Sequence, residues 1–202
     1  MAKIPSRIFV YIGTALVVAL VLVLWWTMEA GPEQGAKSVG TPTIGGAFTL
    51  VDHTGKTVTD GDYAGKFKLV FFGYTYCPDV CPTALSVMTD ALDLLGSDAA
   101  KVQPLFISVD PARDTPEQLA MYVGHFGKGL VGLTGTAEQV AAAAKAYRVY
   151  YRKVDDKDAA QDEYLVDHTA IAYLMAPDGG FKVHFSQNTD AESMARRIRE
   201  FL

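Results

Sequence analysis

Apolar positions are spread unevenly along the chain, and their pattern divides it into segments before any motif is considered. Residues 8–26, IFVYIGTALVVALVLVLWW, hold no charged side chain. At the helical rise they make about 28 Å of helix, enough to span a hydrocarbon core. Lys3 and Arg7 precede the run, whereas Glu29 and Glu33 follow it and no Lys or Arg appears before Lys37. This bias puts residues 1–7 in the cytoplasm and the bulk of the chain on the far side, with Trp25 and Trp26 as an interfacial belt. A cleaved secretory signal is the alternative reading. The run is longer than the roughly 7–15 apolar residues of a signal core, and TMEAGPEQGA offers no convincing small-x-small cleavage site. Residues 1–7 are too few for an Arg-rich mitochondrial presequence. The expectation is a single-pass anchor in a bacterial inner membrane, with the C-terminal domain in the periplasm.

Residues 27–45, Gly- and Pro-containing and without periodicity, read as a flexible tether, and a folded domain is expected over residues 46–202. FTLVDHTGKTVT alternates apolar and polar positions around Thr54-Gly55, which predicts a hairpin with one solvated face. LVFFGY, from Leu69, is a continuous apolar run broken at Gly73, the pattern of a buried central strand near its end. Over residues 82–95, Leu85, Met88, Leu92 and Leu95 recur at helical spacing. PLFISV, before Asp110, is a second buried run; strand, helix and strand in that order predict a crossover joining two parallel strands. Thr115-Pro116 opens another helix reaching to about Phe126, with Thr115 as N-cap. Residues 136–147 read as an Ala-rich helix, IAYLM and FKVHFS as strands flanking a turn at residues 176–180, and the segment from Asp190 as a closing amphipathic helix. The pattern is that of an α/β domain, a mixed sheet flanked by helices, behind a single N-terminal transmembrane helix.

Composition narrows the chemistry. With 202 residues, half of them apolar, the chain supports one ordinary core. A formal net charge of -5 removes the electrostatic drive for nucleic acid, which is not expected as a partner. The only cysteines, Cys77 and Cys81, exclude a multi-disulfide scaffold and any four-thiolate cluster made by one chain.

The pair lies in Gly73-Tyr74-Thr75-Tyr76-Cys77-Pro78-Asp79-Val80-Cys81-Pro82. A proline fits the first helical position, so Pro82 is expected there with Cys81 as the cap. A thiol at that place sits in the positive end of the helix dipole, which favours thiolate, while Asp79 opposes the effect. As a structural disulfide the pair would close too short a loop to stabilise much. As a redox pair it departs from the usual C-x-x-C spacing, and the extra residue leaves room for a metal held by both sulfurs. Two thiolates leave a metal short of donors, and the histidines are the candidates for a third. His53, His125 and His184 read as surface or hydrogen-bonding residues. His168 directly precedes the strand IAYLM in Val166-Asp167-His168-Thr169. If that strand runs antiparallel to LVFFGY, His168 falls at the sheet edge where the cysteines lie. Two thiolates and an imidazole suit Cu(I), tolerate Cu(II) and also suit Zn(II).

FFGYTYCPDVCP, VDPARDTPE, LTGT and VDHTAIAYLMAPDG, in that order, resemble the Sco/SenC copper chaperones of cytochrome c oxidase assembly, over essentially the whole domain from Gly46. The resemblance implies a thioredoxin-like fold and copper, as Cu(I) or Cu(II), on Cys77, Cys81 and His168. It also implies delivery to the CuA centre of cytochrome c oxidase subunit II, with a thiol–disulfide step at that subunit's cysteines. An upstream periplasmic copper donor and a thiol reductant are the further partners it brings. Asp110, Arg113 and Asp114 match the second motif, and Arg113 with its carboxylate neighbours reads as ion-pair support for the loop beside the site. Asp79 and Asp167 complete the supporting set.

Two enzyme readings compete with the metallochaperone. A thiol–disulfide oxidoreductase, reducing the cysteines of the oxidase copper site, needs only Cys77 and Cys81. A peroxiredoxin-like peroxidase needs Pro and Thr where this chain has Val70 and Tyr74.

Overall fold

The computed structural model describes residues 16–25, 43–127, 129–154 and 164–202. The chain divides into two compact units, Met1–Pro42 and Thr43–Leu202. In the first, residues 16–25 form an exposed helix, α1. The rest of the expected span, the cytoplasmic flank and the tether up to residue 42 lie outside the described residues. Among the described residues no helix is long and apolar enough to cross a membrane.

The second unit carries the α/β architecture expected from its sequence. Its main sheet comprises β1 (Thr49–Asp52), β2 (Thr57–Thr59), β3 (Phe67–Gly73), β4 (Val102–Ser108), β5 (Val131–Thr134), β8 (Ile171–Met175) and β9 (Phe181–Ser186) in the order β2-β1-β5-β4-β3-β8-β9. β6 (Tyr151–Lys153) and β7 (Val166–His168) form a separate antiparallel pair. Four helices accompany them: α2 (Val80–Leu95), α3 (Pro116–Val123), α4 (Ala137–Ala146) and α5 (Ala191–Arg199).

β3 and β4 are parallel neighbours joined through α2, as the crossover predicts. β8 runs antiparallel to β3, pairing Phe71 with Ala172, so the segment before β8 returns to the C-terminal end of β3. Successive residues of β3 face opposite sides of the sheet. Phe71 stacks on Phe106 on one side and Phe72 meets Tyr147, the C-cap of α4, on the other. Helix starts follow local chemistry. Thr115 accepts from Gln118 N–H at 3.2 Å, Thr136 from Gln139 N–H at 3.2 Å, and Asp190 from Ser193 N–H at 2.8 Å.

One start differs from expectation. Asp79, not Cys81, is the N-cap of α2, and Pro82 stands third in the helix. The first N–H groups of a helix have no intrahelical acceptor, so proline loses no bond anywhere in that turn. The short strands β5, β6 and β7 carry no periodicity that predicts them. β5 separates β4 from the β1–β2 hairpin, and β7 carries His168.

Candidate metal centre

Three strand ends and one helix start meet at the C-terminal edge of β3. The chain leaves β3 at Gly73, turns with Cys77 N–H donating to Tyr74 C=O at 3.2 Å, and enters α2. A side chain at Gly73 would have its Cβ 2.6 Å from Cys81 Sγ and 2.9 Å from the Phe106 ring. Glycine here is what lets the first turn of α2 close onto the strand.

The two sulfurs are free thiols with unlike surroundings. Cys77 is 9% exposed and Cys81 fully buried. Cys77 Sγ accepts the Cys81 N–H at 3.4 Å, so it is the upstream sulfur that caps the helix. The Cys81 thiol donating to it, with the N–H groups of Cys81 and Asp79, pulls the Cys77 thiol down to about 5 against the opposing effect of burial. Cys81 goes the other way, pushed up by giving its hydrogen to Cys77, by burial and by the neighbouring Cys77 charge. The thiolate expected of a capping Cys81 belongs to Cys77, because the helix begins two residues earlier than the proline suggested. With copper absent, iodoacetamide is expected to alkylate Cys77 alone, at a rate that falls on acidification through about pH 5. Peptide mass spectrometry across pH would contradict this if both thiols reacted with the ordinary midpoint near ~8.5.

His168 stands with its Nε2 3.4 Å from Cys81 Sγ. Its Nδ1 lies 3.1 Å from the Val166 carbonyl, which can only accept; Nδ1 therefore carries the hydrogen and Nε2 presents its lone pair to the sulfur. Phe71 and Tyr74 meet the imidazole edge-on, with ring centroids at 6.4 and 5.6 Å, and fix its plane. Two donors sharing one ion at ordinary nitrogen and sulfur bond lengths in a tetrahedral arrangement stand roughly 3.5 Å apart, so this donor pair fits a metal between them. Among the described residues no three His, Cys, Asp or Glu side chains stand together closely enough to hold a metal ion.

Behind the cysteine loop lies a second polar unit. The buried Asp114 accepts from Thr75 N–H at 3.0 Å, Thr75 Oγ1 at 2.6 Å and Ser108 Oγ at 2.6 Å. Arg113 Nε donates to Asp110 Oδ2 at 2.6 Å, and Tyr164 Oη donates to Asp110 Oδ1 at 2.7 Å. The Arg113 guanidinium stacks 3.6 Å over the Tyr164 ring and 4.6 Å over Tyr76. Arg113 thus pairs with Asp110, while Asp114 supports the loop through neutral donors.

A family model described as SCO1/SenC matches residues 36–202. The chain belongs to the SCO1/SenC family. The protein sco1 of Schizosaccharomyces pombe is 44% identical over 175 residues, covering 86% of this chain and 66% of that protein. SenC of Rhodobacter capsulatus is 46% identical over 159 residues, covering 79% of this chain and 71% of that one. The chain spans 60–66% of the length of the fission-yeast, human and mouse relatives. Among solved structures, Bradyrhizobium japonicum ScoI with copper bound is 46% identical, with a TM-score of 0.72 over 79% of this chain and 99% of that one. Yeast Sco1 with copper bound is 39% identical, with a TM-score of 0.72 over 79% and 88% of the two chains.

Within this SCO1/SenC domain the supporting residues divide. Asp110, Arg113 and Asp114 stand behind the cysteine loop, and Asp79 occupies the N-cap position of α2 beside it without a side-chain capping bond. Asp167 points away from the thiols, its carboxylate 3.5 Å from Arg152 on the exposed side of the β6–β7 pair. Strand alternation requires this, since Asp167 and His168 are adjacent in β7. The other histidines keep ordinary roles. His53 Nδ1 accepts from Gly132 N–H at 3.2 Å, and His125 Nδ1 lies 3.3 Å from Tyr122 C=O. His184 stacks on Phe181. Thr75, Ser108 and Tyr164 are site residues that the sequence does not announce, because only the strand register brings them to Asp110 and Asp114.

Proposed function

We propose that this protein is a membrane-anchored periplasmic metallochaperone. It takes copper, as Cu(I) or Cu(II), on Cys77, Cys81 and His168 and delivers it to the CuA centre of cytochrome c oxidase subunit II. The observation that carries the reading is the His168 Nε2 lone pair aimed at Cys81 Sγ from 3.4 Å, its tautomer set by Val166 C=O. Thiolates with one imidazole suit copper and zinc alike, and copper is what the two related solved structures hold. The uncharged run of residues 8–26 supports the anchor, and the charge bias around it supports a periplasmic domain.

Transfer by ligand exchange has a natural direction here. Of the two sulfurs Cys77 is the less buried and Cys81 lies deeper, so an incoming thiolate meets Cys77 before Cys81, with the half-buried His168 beside them. The full chain, solubilised in detergent and loaded with one copper per chain, is expected to pass its metal to a reduced, copper-free soluble domain of subunit II. The copper content of the separated proteins reads the result. Metal that stays on the donor, or passes as readily from a Cys77→Ser, Cys81→Ser double variant, would sink the reading.

The unlike thiols favour a second activity on the same residues. In a thiol–disulfide oxidoreductase the Cys77 thiolate attacks a client disulfide and releases one client thiolate, and a mixed disulfide forms. Cys81 then attacks Cys77, giving its proton to the second leaving thiolate. The client gains two electrons and the Cys81 proton from this chain, its first thiolate takes a proton from water, and this chain is left with the Cys77–Cys81 disulfide. Reduction of that disulfide restores the state that binds metal, so the two activities alternate on one site.

A further inference from the structure

The strand pair that carries His168 stands apart from the main sheet. Its ladder joins Tyr151 to His168, Arg152 to Asp167 and Lys153 to Val166, and Val154 N–H extends it by donating to Leu165 C=O at 2.8 Å. A two-stranded ribbon this short does not hold itself in place, so the aim of His168 depends on how the ribbon is docked. Burial alternates along it. Tyr164, Val166 and His168 are buried or half-buried, whereas Leu165 and Asp167 are exposed, so the first three face inward together. Each meets the body of the domain. His168 Nε2 faces Cys81 Sγ, Val166 N–H donates to the Tyr74 hydroxyl, and Tyr164 Oη donates to Asp110 Oδ1 at 2.7 Å.

The Tyr164 contact has a fixed partner. Asp110 is 5% exposed, its N–H donates to Ser108 Oγ at 3.0 Å at the end of β4, and its second oxygen takes Arg113 Nε at 2.6 Å. A hydrogen bond to such a charged acceptor is stronger than one between neutral groups. Burial and this bond to Asp110 push the Tyr164 phenol up to about 12, so it stays a donor at physiological pH. The ring is held as well as the hydroxyl. The Arg113 guanidinium and the Lys153 ammonium each stand 3.6 Å from its centroid. The same guanidinium lies 4.6 Å over Tyr76, the residue before Cys77, so one arginine touches both segments that carry candidate metal donors. Tyr164 itself is four residues from His168, about 13 Å along an extended strand, and acts on the site only by placing the ribbon.

We propose that Tyr164 is a positioning residue for copper binding: its bond to Asp110 and its stack on Arg113 pin the inward face of the β6–β7 ribbon and so hold the His168 imidazole at the thiols. The inference rests on the copper reading, because it assigns a support to one of that site's donors.

The test is a double-mutant cycle on the full chain, reduced and in detergent, with Cu(I) affinity read by competition against a chromogenic chelator. Tyr164→Phe keeps the ring beside both cations and removes only the hydroxyl. It is expected to weaken copper by about tenfold, the lower end for losing a group that orients a metal-bound imidazole. Because Tyr164 acts through His168, adding Tyr164→Phe to His168→Ala should weaken binding by less than about twofold further. A merely structural role would subtract the same tenfold on both backgrounds. A second readout needs no metal. In the copper-free protein, amide hydrogens over residues 164–168 are expected to exchange about tenfold faster in Tyr164→Phe, with those of α2 unchanged, by mass spectrometry. Circular dichroism and thiol titration are the folding controls. Wild-type affinity in Tyr164→Phe beside a weakened His168→Ala, equal losses on both backgrounds, or unchanged exchange over residues 164–168 would each overturn the proposal and leave the copper reading standing. Wild-type affinity in His168→Ala would instead remove His168 from the site, and this proposal with it.

Discussion

His168→Ala is expected to lower the copper affinity of the reduced protein by at least ~100-fold while both thiols remain titratable. That figure is the upper range for losing only a partner of a metal-bound side chain, and here the donor itself is removed. The geometry says why no neighbour can substitute. Val166 C=O fixes Nδ1–H, Phe71 and Tyr74 fix the ring plane, and the lone pair of Nε2 is left facing Cys81 Sγ. Asp167, next along the chain, faces Arg152 on the other side of the strand pair. Asp167→Ala is therefore the matched control and should leave affinity unchanged. Competition for Cu(I) against a chromogenic chelator measures both variants. The same pair separates the two activities, since disulfide exchange runs on Cys77 and Cys81 and should survive His168→Ala. Copper bound at unchanged affinity by the alanine variant would remove His168 from the ligand set.

How far the site can be read from sequence depends on what brings its residues together. Leu69–Phe72 and Leu105–Ile107 are continuous apolar runs flanking a periodic helix, so the crossover and the parallel pairing follow from local pattern. The antiparallel return of β8 is one further step, and it places His168 near the thiols. The rest is tertiary. β5 is only four residues, VGLT, and its insertion between β4 and the first hairpin is decided by pairing rather than by periodicity. β6 and β7 have three residues each and exist because they pair with each other. Proline is neutral throughout the first turn and so does not mark where α2 starts, whereas the bond from Cys81 N–H to Cys77 Sγ goes with the earlier start. That two-residue difference exchanges the places of the thiols, making Cys77 the sulfur at the helix start and Cys81 the fully buried one.

The second large effect is expected at Asp114, which ties the cysteine loop to the end of β4. Its carboxylate is fully buried and takes three hydrogen bonds, two from Thr75 and one from Ser108. Asp114→Ala removes the acceptor of the half-buried Thr75 N–H and hydroxyl and of the fully buried Ser108 hydroxyl. Each unsatisfied group costs about 1–3 kcal/mol and the three are not additive, so a total loss of about 3 kcal/mol is expected. For a domain of this size that is a melting temperature lower by about 6–12 °C, read by calorimetry of the reduced protein. Asp114→Asn keeps one acceptor for Thr75 N–H and offers an amide to the hydroxyls, so it should retain much of the stability that alanine loses. Its pH dependence is informative, because burial outweighs the three hydrogen bonds and holds the Asp114 carboxyl above its ordinary 3.8. A carboxyl raised in the folded state binds its proton more readily there than in the unfolded chain. The penalty for its charge is present in full above the raised value and is relieved as pH falls toward 3.8. Wild type should therefore gain on Asp114→Asn as pH is lowered from about 7 to about 4, whatever the other groups contribute to both proteins. Urea unfolding of the pair across that range decides it: a stability difference independent of pH would mean that Thr75 and Ser108 compensate the buried charge completely.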